Sequence, residues 1–195
     1  YASKGYDVTA VELTDANIAA FQKKITSDMK IDLRQGNALD LSMFSDESFD
    51  VVLLMGPLYH LKSDEDKLQT IAEAKRVCKK DGMIFFAFIT NDFVMLTELS
   101  YDINYFKGDT YEADTFRVKD EPFVFATIDK ARSLMEKANI TIQKEVAVDG
   151  ATELIQDLVD KLDEESYQQY IKFHFYICEK KEFLGMTNHL LLIGR

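Results

Sequence analysis

Tyr59 and His60 stand three and four residues after Gly56, at the close of the segment FDVVLLMGPLYHL from Phe49 to Leu61. An unperturbed imidazole titrates at about 6.5, so it can take a proton near neutral pH. A phenol can donate or accept a hydrogen bond. Ahead of them Asp46-Glu47-Ser48 leads into five apolar residues, Val51 to Met55, which Gly56-Pro57 stops. A continuous apolar run of this length reads as a strand buried on both faces of a parallel sheet. Open α/β sheets bind ligands just outside the carboxyl ends of such strands, so Gly56, Pro57, Tyr59 and His60 read as one wall of a site. The plainer alternative is a turn that happens to contain Tyr and His. A second chemical group closes another strand-like run, DVTAVE: the Glu12 carboxylate. Placed there, a carboxylate can accept both ribose hydroxyls of an adenosine; the alternative is a surface glutamate at a strand end.

Composition narrows the partners. The 195 residues carry 23 Lys plus Arg against 34 Asp plus Glu, a net charge of −11, with 47% apolar residues. Binding a phosphate backbone needs clustered cations to release counterions, and no such cluster is visible. Nucleic acid and anionic membranes are therefore disfavoured, and small neutral or cationic molecules are the expected substrates. No apolar run approaches the roughly 20 residues that cross a bilayer. Cys78 and Cys178, both read as parts of helical patterns, do not make a disulfide framework, which points to a reducing cytoplasm. No metal is expected. A chain of this length is read as one domain, 1–195.

Strands alternate with helices along the chain. Tyr1–Lys4 and then Gly5 reads as a helix end with its left-handed cap, followed by a strand at Asp7–Glu12. That start is half of a βαβ unit, so the chain is read as truncated, with an upstream strand and an acidic, glycine-rich turn expected before it. A helix over Asn17–Ile25 with Asp15 as N-cap follows, then strands at Lys30–Gln35 and Phe49–Met55. Next come a helix at Asp64–Lys80, a strand at Met83–Ile89, a helix over Thr127–Asn139, an edge strand at Ile140–Val148 and a last strand at Leu190–Ile193. This alternation means a mostly parallel sheet with helices on both faces. Thr90–Ala126 and Asp149–Asn188 are too long for ordinary connections.

Taken in order, VTAVE, QGNALDL, FDVVLLMGPLYHL, KKDGMIFFAFI and HLLLIGR resemble the class I S-adenosylmethionine-dependent methyltransferases, above all the small bacterial ones that act on small molecules. The resemblance covers Tyr1–Ile89 and Thr127–Arg195. It implies an α/β Rossmann-like sheet of strand order 3-2-1-4-5-7-6 with the last strand antiparallel, the first strand being missing from this chain. It implies S-adenosylmethionine as cofactor, with Glu12 on the ribose and Leu13 against the adenine. Asn37, where the family usually has Asp, and the Ala38 amide would read the adenine edge; the alternative is a turn-forming Gly-Asn pair. Met55 and Gly56 would line the methionine half, and Tyr59 and His60 would face the acceptor, with His60 as the candidate base or, equally, a structural hydrogen-bonding group. Met55-Gly56-Pro57-Leu58 departs from the Asn/Asp-Pro-Pro-Tyr of many nucleobase N-methyltransferases, which argues against that acceptor.

Methyl transfer from a sulfonium is an in-line displacement, so the protein mainly aligns the reactants and excludes water. Topology puts both long insertions, 90–126 and 149–188, over the site as a lid. In the first, Tyr101, Tyr105 and Phe106 lie among acidic residues and could hold a cation, or they could simply anchor a loop. His174, on an apolar helix stripe, and His189, at a strand start, read as structural. Two other functions share the sheet: a nicotinamide-dependent oxidoreductase, and a non-catalytic S-adenosylmethionine-binding or interaction module.

Overall fold

The computed structural model describes residues 1–195, which divide into two units, Tyr1–Ser45 and Asp46–Arg195. In the first, Ala2–Lys4 forms a short 3-10 turn ended by Gly5 at φ 88°, the left-handed cap that the sequence suggests. Strand β1 (Val8–Glu12) pairs parallel with β2 (Ile31–Gln35), from Val8 opposite Ile31 to Glu12 opposite Gln35. Between them runs α1 (Asp15–Gln22). Its N-cap is Thr14, whose hydroxyl accepts from the Asn17 amide at 3.3 Å, rather than the expected Asp15. The difference follows from Glu12, which draws the Thr14 amide toward itself and leaves the Thr14 side chain free to cap.

The second unit is built on one sheet of order β3-β4-β9-β8, joined by a short strand, β7, on β4. Strand β3 (Phe49–Leu54) lies parallel to β4 (Cys78–Thr90). Strand β9 (His189–Gly194) is antiparallel to β4 on one side and to β8 (Ile142–Ala147) on the other. Within each unit the pairing agrees with the expected order: β2 beside β1 in the first, and β3-β4-β9-β8, antiparallel last strand included, in the second.

Helix α2 (Asp64–Val77) is capped by Ser63 and buries Ile71, Ala74 and Val77. Thr127 caps α4 (Ile128–Lys137), which buries Ala131, Leu134 and Met135. The core between helices and sheet is completed by Ile84, Phe86, Phe88, Leu190 and Leu192. Helix α2 ends at Val77, earlier than expected, and β4 begins directly at Cys78. Gly82 explains the early strand: a Cβ there would meet the Asp50 carbonyl oxygen at 2.7 Å and Cys78 Sγ at 2.6 Å. Lys79 to Gly82, expected as a helix end, thereby lie against β3. Cys78, read as helical, is thus a strand residue; it and Cys178 are buried free thiols.

Both long insertions carry structure of their own. The first contains α3 (Asn91–Tyr101), a hairpin of β5 (Tyr111–Glu112) and β6 (Arg117–Val118), and β7 (Phe125–Ala126), which pairs parallel with Ile89 and Thr90 of β4. The second contains α5 (Gln156–Val159) and α6 (Glu164–Ile177), the latter capped by Asp163. No helix is long and apolar enough to cross a membrane.

One expectation about the sheet is corrected. The Phe49–Met55 run is not buried on both faces: Val51, Leu53 and Met55 are 52%, 41% and 49% exposed. Strand β3 is paired along one edge only, and successive side chains alternate between faces. Leu54 therefore turns into the core while Val51, Leu53 and Met55 lie on the open face.

Candidate functional site

In the first unit, the parallel register puts the ends of β1 and β2 side by side, so Glu12 and Asn37 share one edge. Glu12 Oε1 accepts from the Leu13 amide at 2.9 Å, the Thr14 amide at 3.2 Å and Asn17 Nδ2 at 3.2 Å. The Thr14 amide bond is the main reason its carboxyl sits below the usual range; slight burial opposes it, and the Asn17 and Leu13 bonds reinforce it. These bonds all fall on Oε1, so the carboxylate is oriented with Oε2 turned away from its own backbone. Gln35 Nε2 steadies the same turn by donating to Asp15 Oδ1 at 2.9 Å and the Leu13 carbonyl at 3.3 Å. Leu13 itself is exposed.

Gly36 closes the edge. A Cβ there would meet Met43 Cε at 2.6 Å and Val11 Cγ1 at 2.9 Å. Asn37 Oδ1 accepts from the Leu39 amide at 3.0 Å, an Asx turn. The turn-forming reading of Gly36-Asn37 thus holds locally. A carbonyl oxygen has two lone pairs, so the turn leaves one of them for a further donor, next to the half-buried Ala38.

In the second unit, Met55 and Gly56 continue β3 past its last pair, Leu54 with Phe86. Gly56 has φ 148° and ψ −63°, a conformation that only glycine adopts at low cost. Pro57 then opens a 3-10 turn over Pro57–Tyr59 that buries Leu58. Its effect is to place three rings together. The Tyr59 and His60 centroids are 5.1 Å apart, and Phe123 lies 6.1 Å from Tyr59 and 5.2 Å from His60. The Val124 amide donates to the Tyr59 carbonyl at 2.8 Å, which fixes the first insertion to this turn. His60 is exposed and Tyr59 half-buried.

The three aromatics expected on the acceptor side separate. Tyr105 is 8% exposed, in an apolar cluster with Ile89, Val94, Met95 and Val118, and its buried hydroxyl has no partner. It is a core residue, not a ring presented to solvent. Tyr101 and Phe106 are exposed, and the Tyr101 hydroxyl donates to Glu153 Oε1 at 3.0 Å, bridging the two insertions. Phe123 was not singled out in the sequence, because nothing in its spacing links it to Tyr59. The pair His189 and Asp149 was also missed; an antiparallel last strand beginning where β8 ends was the available signal.

Comparison with known proteins follows the same lines. A family model described as a methyltransferase domain matches residues 1–86. The Bacillus subtilis (strain 168) protein YqeM, a candidate methyltransferase by name, is 28% identical over 85 residues, 44% of this chain and 34% of its own length. The match thus spans about a third of that relative. Among solved structures, an S-adenosylmethionine-dependent methyltransferase of Thermotoga maritima, described as a possible histamine N-methyltransferase, superposes with a TM-score of 0.59. It is 19% identical, over 94% of this chain and 70% of that one. The 1,6-didemethyltoxoflavin-N1-methyltransferase of Burkholderia thailandensis, solved with its substrate and S-adenosylhomocysteine, gives 0.55 at 14% identity, over 99% of this chain and 62% of that one. At such identities these likenesses establish the fold. The family model covers less than half of this chain.

Proposed function

We propose that this chain, which has the fold of the class I S-adenosylmethionine-dependent methyltransferases and matches a methyltransferase-domain family over residues 1–86, transfers a methyl group from S-adenosylmethionine to a small-molecule acceptor. The observation that carries the reading is β9, antiparallel between β4 and β8. A dinucleotide-binding sheet of the dehydrogenase type is built from parallel mononucleotide halves, so an antiparallel strand inside the edge favours methyl transfer over the oxidoreductase alternative. The cofactor supplies an electrophilic methyl on a good neutral leaving group; the protein's share is binding, alignment and exclusion of water.

In this reading Glu12 Oε2 accepts from the ribose, Leu13 packs on the adenine, and Asn37 with the Ala38 amide meets its edge. Met55 and Gly56 line the methionine half, the absent Cβ at Gly56 leaving room for it. Tyr59 and His60, with Phe123, form the acceptor wall, and Tyr101 and Phe106 belong to the lid made by 90–126 and 149–188. The acidic net charge of −11 favours neutral or cationic acceptors. The buried thiols Cys78 and Cys178 suit a reducing cytoplasm.

Calorimetric titration of the protein with S-adenosylmethionine and, in parallel, with a nicotinamide dinucleotide tests the reading. Saturable binding of the first and none of the second is expected; the reverse pattern overturns it.

A further inference from the structure

The carboxyl rim of the β3-β4-β9-β8 sheet holds a second chemical group. Because β9 is antiparallel, it starts at the rim where β4 ends, with His189 opposite Ile89. Strand β8 ends at the same rim at Ala147, and Asp149 follows after Val148. Asp149 Oδ2 lies 2.7 Å from His189 Nδ1, and Oδ1 accepts from the His189 amide at 3.2 Å and from the Thr187 hydroxyl. Thr187 Oγ1 in turn accepts from the Gly150 amide at 3.2 Å. The carboxylate is therefore locked by backbone and side chain together, and it fixes the imidazole by one nitrogen. An imidazole with Nδ1–H donated to a carboxylate has its lone pair on Nε2. That nitrogen has no protein partner, and the His189 side chain is 51% exposed against 28% for Asp149.

We propose that His189, oriented by Asp149, is the proton acceptor for the methyl-accepting atom, and that the acceptor is a small amine. The proposal rests on the methyl-transfer reading above. A carboxylate–imidazole pair with its outer nitrogen free is the arrangement of an oriented general base. Gly56 continues β3 to about the level of Phe88, and His189 stands beside Ile89 two strands away. Two strand spacings are roughly 10 Å with the end of β4 between them, so a small molecule reaching both would lie across the rim at which β4 ends. The groups facing His189 are acidic: Asp149 and Glu153 from the segment after β8, with Tyr101 of α3 bonded to Glu153 and His174 of α6 against Gly150. Two carboxylates without a neighbouring Lys or Arg partner in these bonds favour a cation.

In the step an ammonium N–H bond breaks and its proton passes to Nε2. The freed nitrogen pair bonds the methyl carbon as the carbon–sulfur pair leaves with sulfur. The imidazolium is held by Asp149 and returns its proton to solvent across its exposed side. The Asp149 bond raises the His189 pKa above its ordinary value, against partial burial. Burial pushes the Asp149 carboxyl up, but its bonds from His189 and Thr187 outweigh this and hold it below the usual range.

Imidazole 15N NMR of the whole protein tests the pair without turnover. His189 is expected to carry its proton on Nδ1, to titrate above 6.5, and to fall on Asp149→Asn. Its Nε2 resonance is expected to shift when benzylamine or 2-phenylethylamine is added in the presence of S-adenosylhomocysteine. In the activity arm, His189→Gln lowers kcat/KM for the amine by roughly 100-fold or more with unchanged S-adenosylmethionine affinity. Asp149→Asn moves the acid limb of the pH profile to lower pH. A proton on Nε2, a titration at or below 6.5, no response to either amine, or full activity of His189→Gln overturns the proposal. Loss of S-adenosylmethionine binding by the unsubstituted protein would instead overturn the reading it rests on.

Discussion

Replacing Glu12 with Gln separates charge from shape at the cofactor edge. The Leu13 and Thr14 amides bond Oε1, and the carbamoyl oxygen of Gln can take the same two bonds, so the turn into α1 is kept. The Thr14 hydroxyl still caps α1. What is lost is the second oxygen: Gln presents an NH2 where, in the proposed function, Glu presents an acceptor for the ribose. A hydrogen bond to a charged group contributes about 1.5–3 kcal/mol, and Glu12 is only half-buried, so solvent screening puts the loss at the lower end, about 1.5–2 kcal/mol. That is a roughly 10- to 30-fold weaker Kd for S-adenosylmethionine. Glu12→Ala should cost at least as much, because it also releases the two amides. The pH dependence follows from the lowered Glu12 pKa: the charged form persists below the usual carboxylate range, so Glu12 contributes no loss of affinity between pH 8 and 5. Calorimetric Kd values for the three proteins decide. An unchanged Kd in Glu12→Gln, or an affinity that falls through the ordinary carboxylate range, refutes the ribose role.

Two further substitutions probe the scaffold. Tyr105→Phe removes a buried hydroxyl that has no partner, so it should stabilise the fold by about 1 kcal/mol and raise Tm by roughly 2–4 °C; a lower Tm shows that the hydroxyl is bonded in solution. Leu192→Ala empties a fully buried position on β9 and should cost about 2–5 kcal/mol in urea unfolding; a loss under 1 kcal/mol would mean that the β9 face is not the centre of the core.

The sequence displayed the sheet because its strands are apolar runs with hard stops. KKDGMIFFAFI and HLLLIGR can hardly fold otherwise, and Gly5 and Gly56 mark their turns by type alone. The place of Glu12 at the end of β1 was legible for the same reason, whereas its local bonds to Leu13, Thr14 and Asn17 were not. The exposure of Val51, Leu53 and Met55 was not legible, because an apolar run does not say how many of its edges and faces are covered. Cys78 to Gly82 was misread because Lys-Lys-Asp-Gly has the composition of a helix end, while the close approach of Gly82 to Asp50 is a tertiary fact. Tyr105 and Tyr101 differ by four residues and the same ring. Only packing separates the buried one, against Val94 and Val118, from the exposed one on Glu153. His189 and Asp149 lie forty residues apart in the chain, and only the antiparallel register joins them.

The two insertions are not equivalent covers, although both leave from the same rim. The first is tied down throughout. Asn91 Oδ1 accepts from the Val118 amide at 2.9 Å, and its Nδ2 donates to the Phe116 carbonyl at 2.9 Å. Arg117 bonds Asp120 at 2.8 Å and also the Phe125 carbonyl, and β7 extends the sheet itself. Such a segment opens only with the sheet. Helix α6 of the second insertion buries none of its residues and leaves Phe173, Phe175 and Tyr176 more than half exposed. Elements with few buried contacts open at low cost, and catalytic lids are drawn from them. In the proposed function, the wall formed by Tyr59, His60 and Phe123 would therefore be the fixed side of the acceptor site, and specificity set by shape would belong there. On the same proposal, access would be governed by α6 and by the Tyr101–Glu153 bond, which joins the fixed insertion to the loose one.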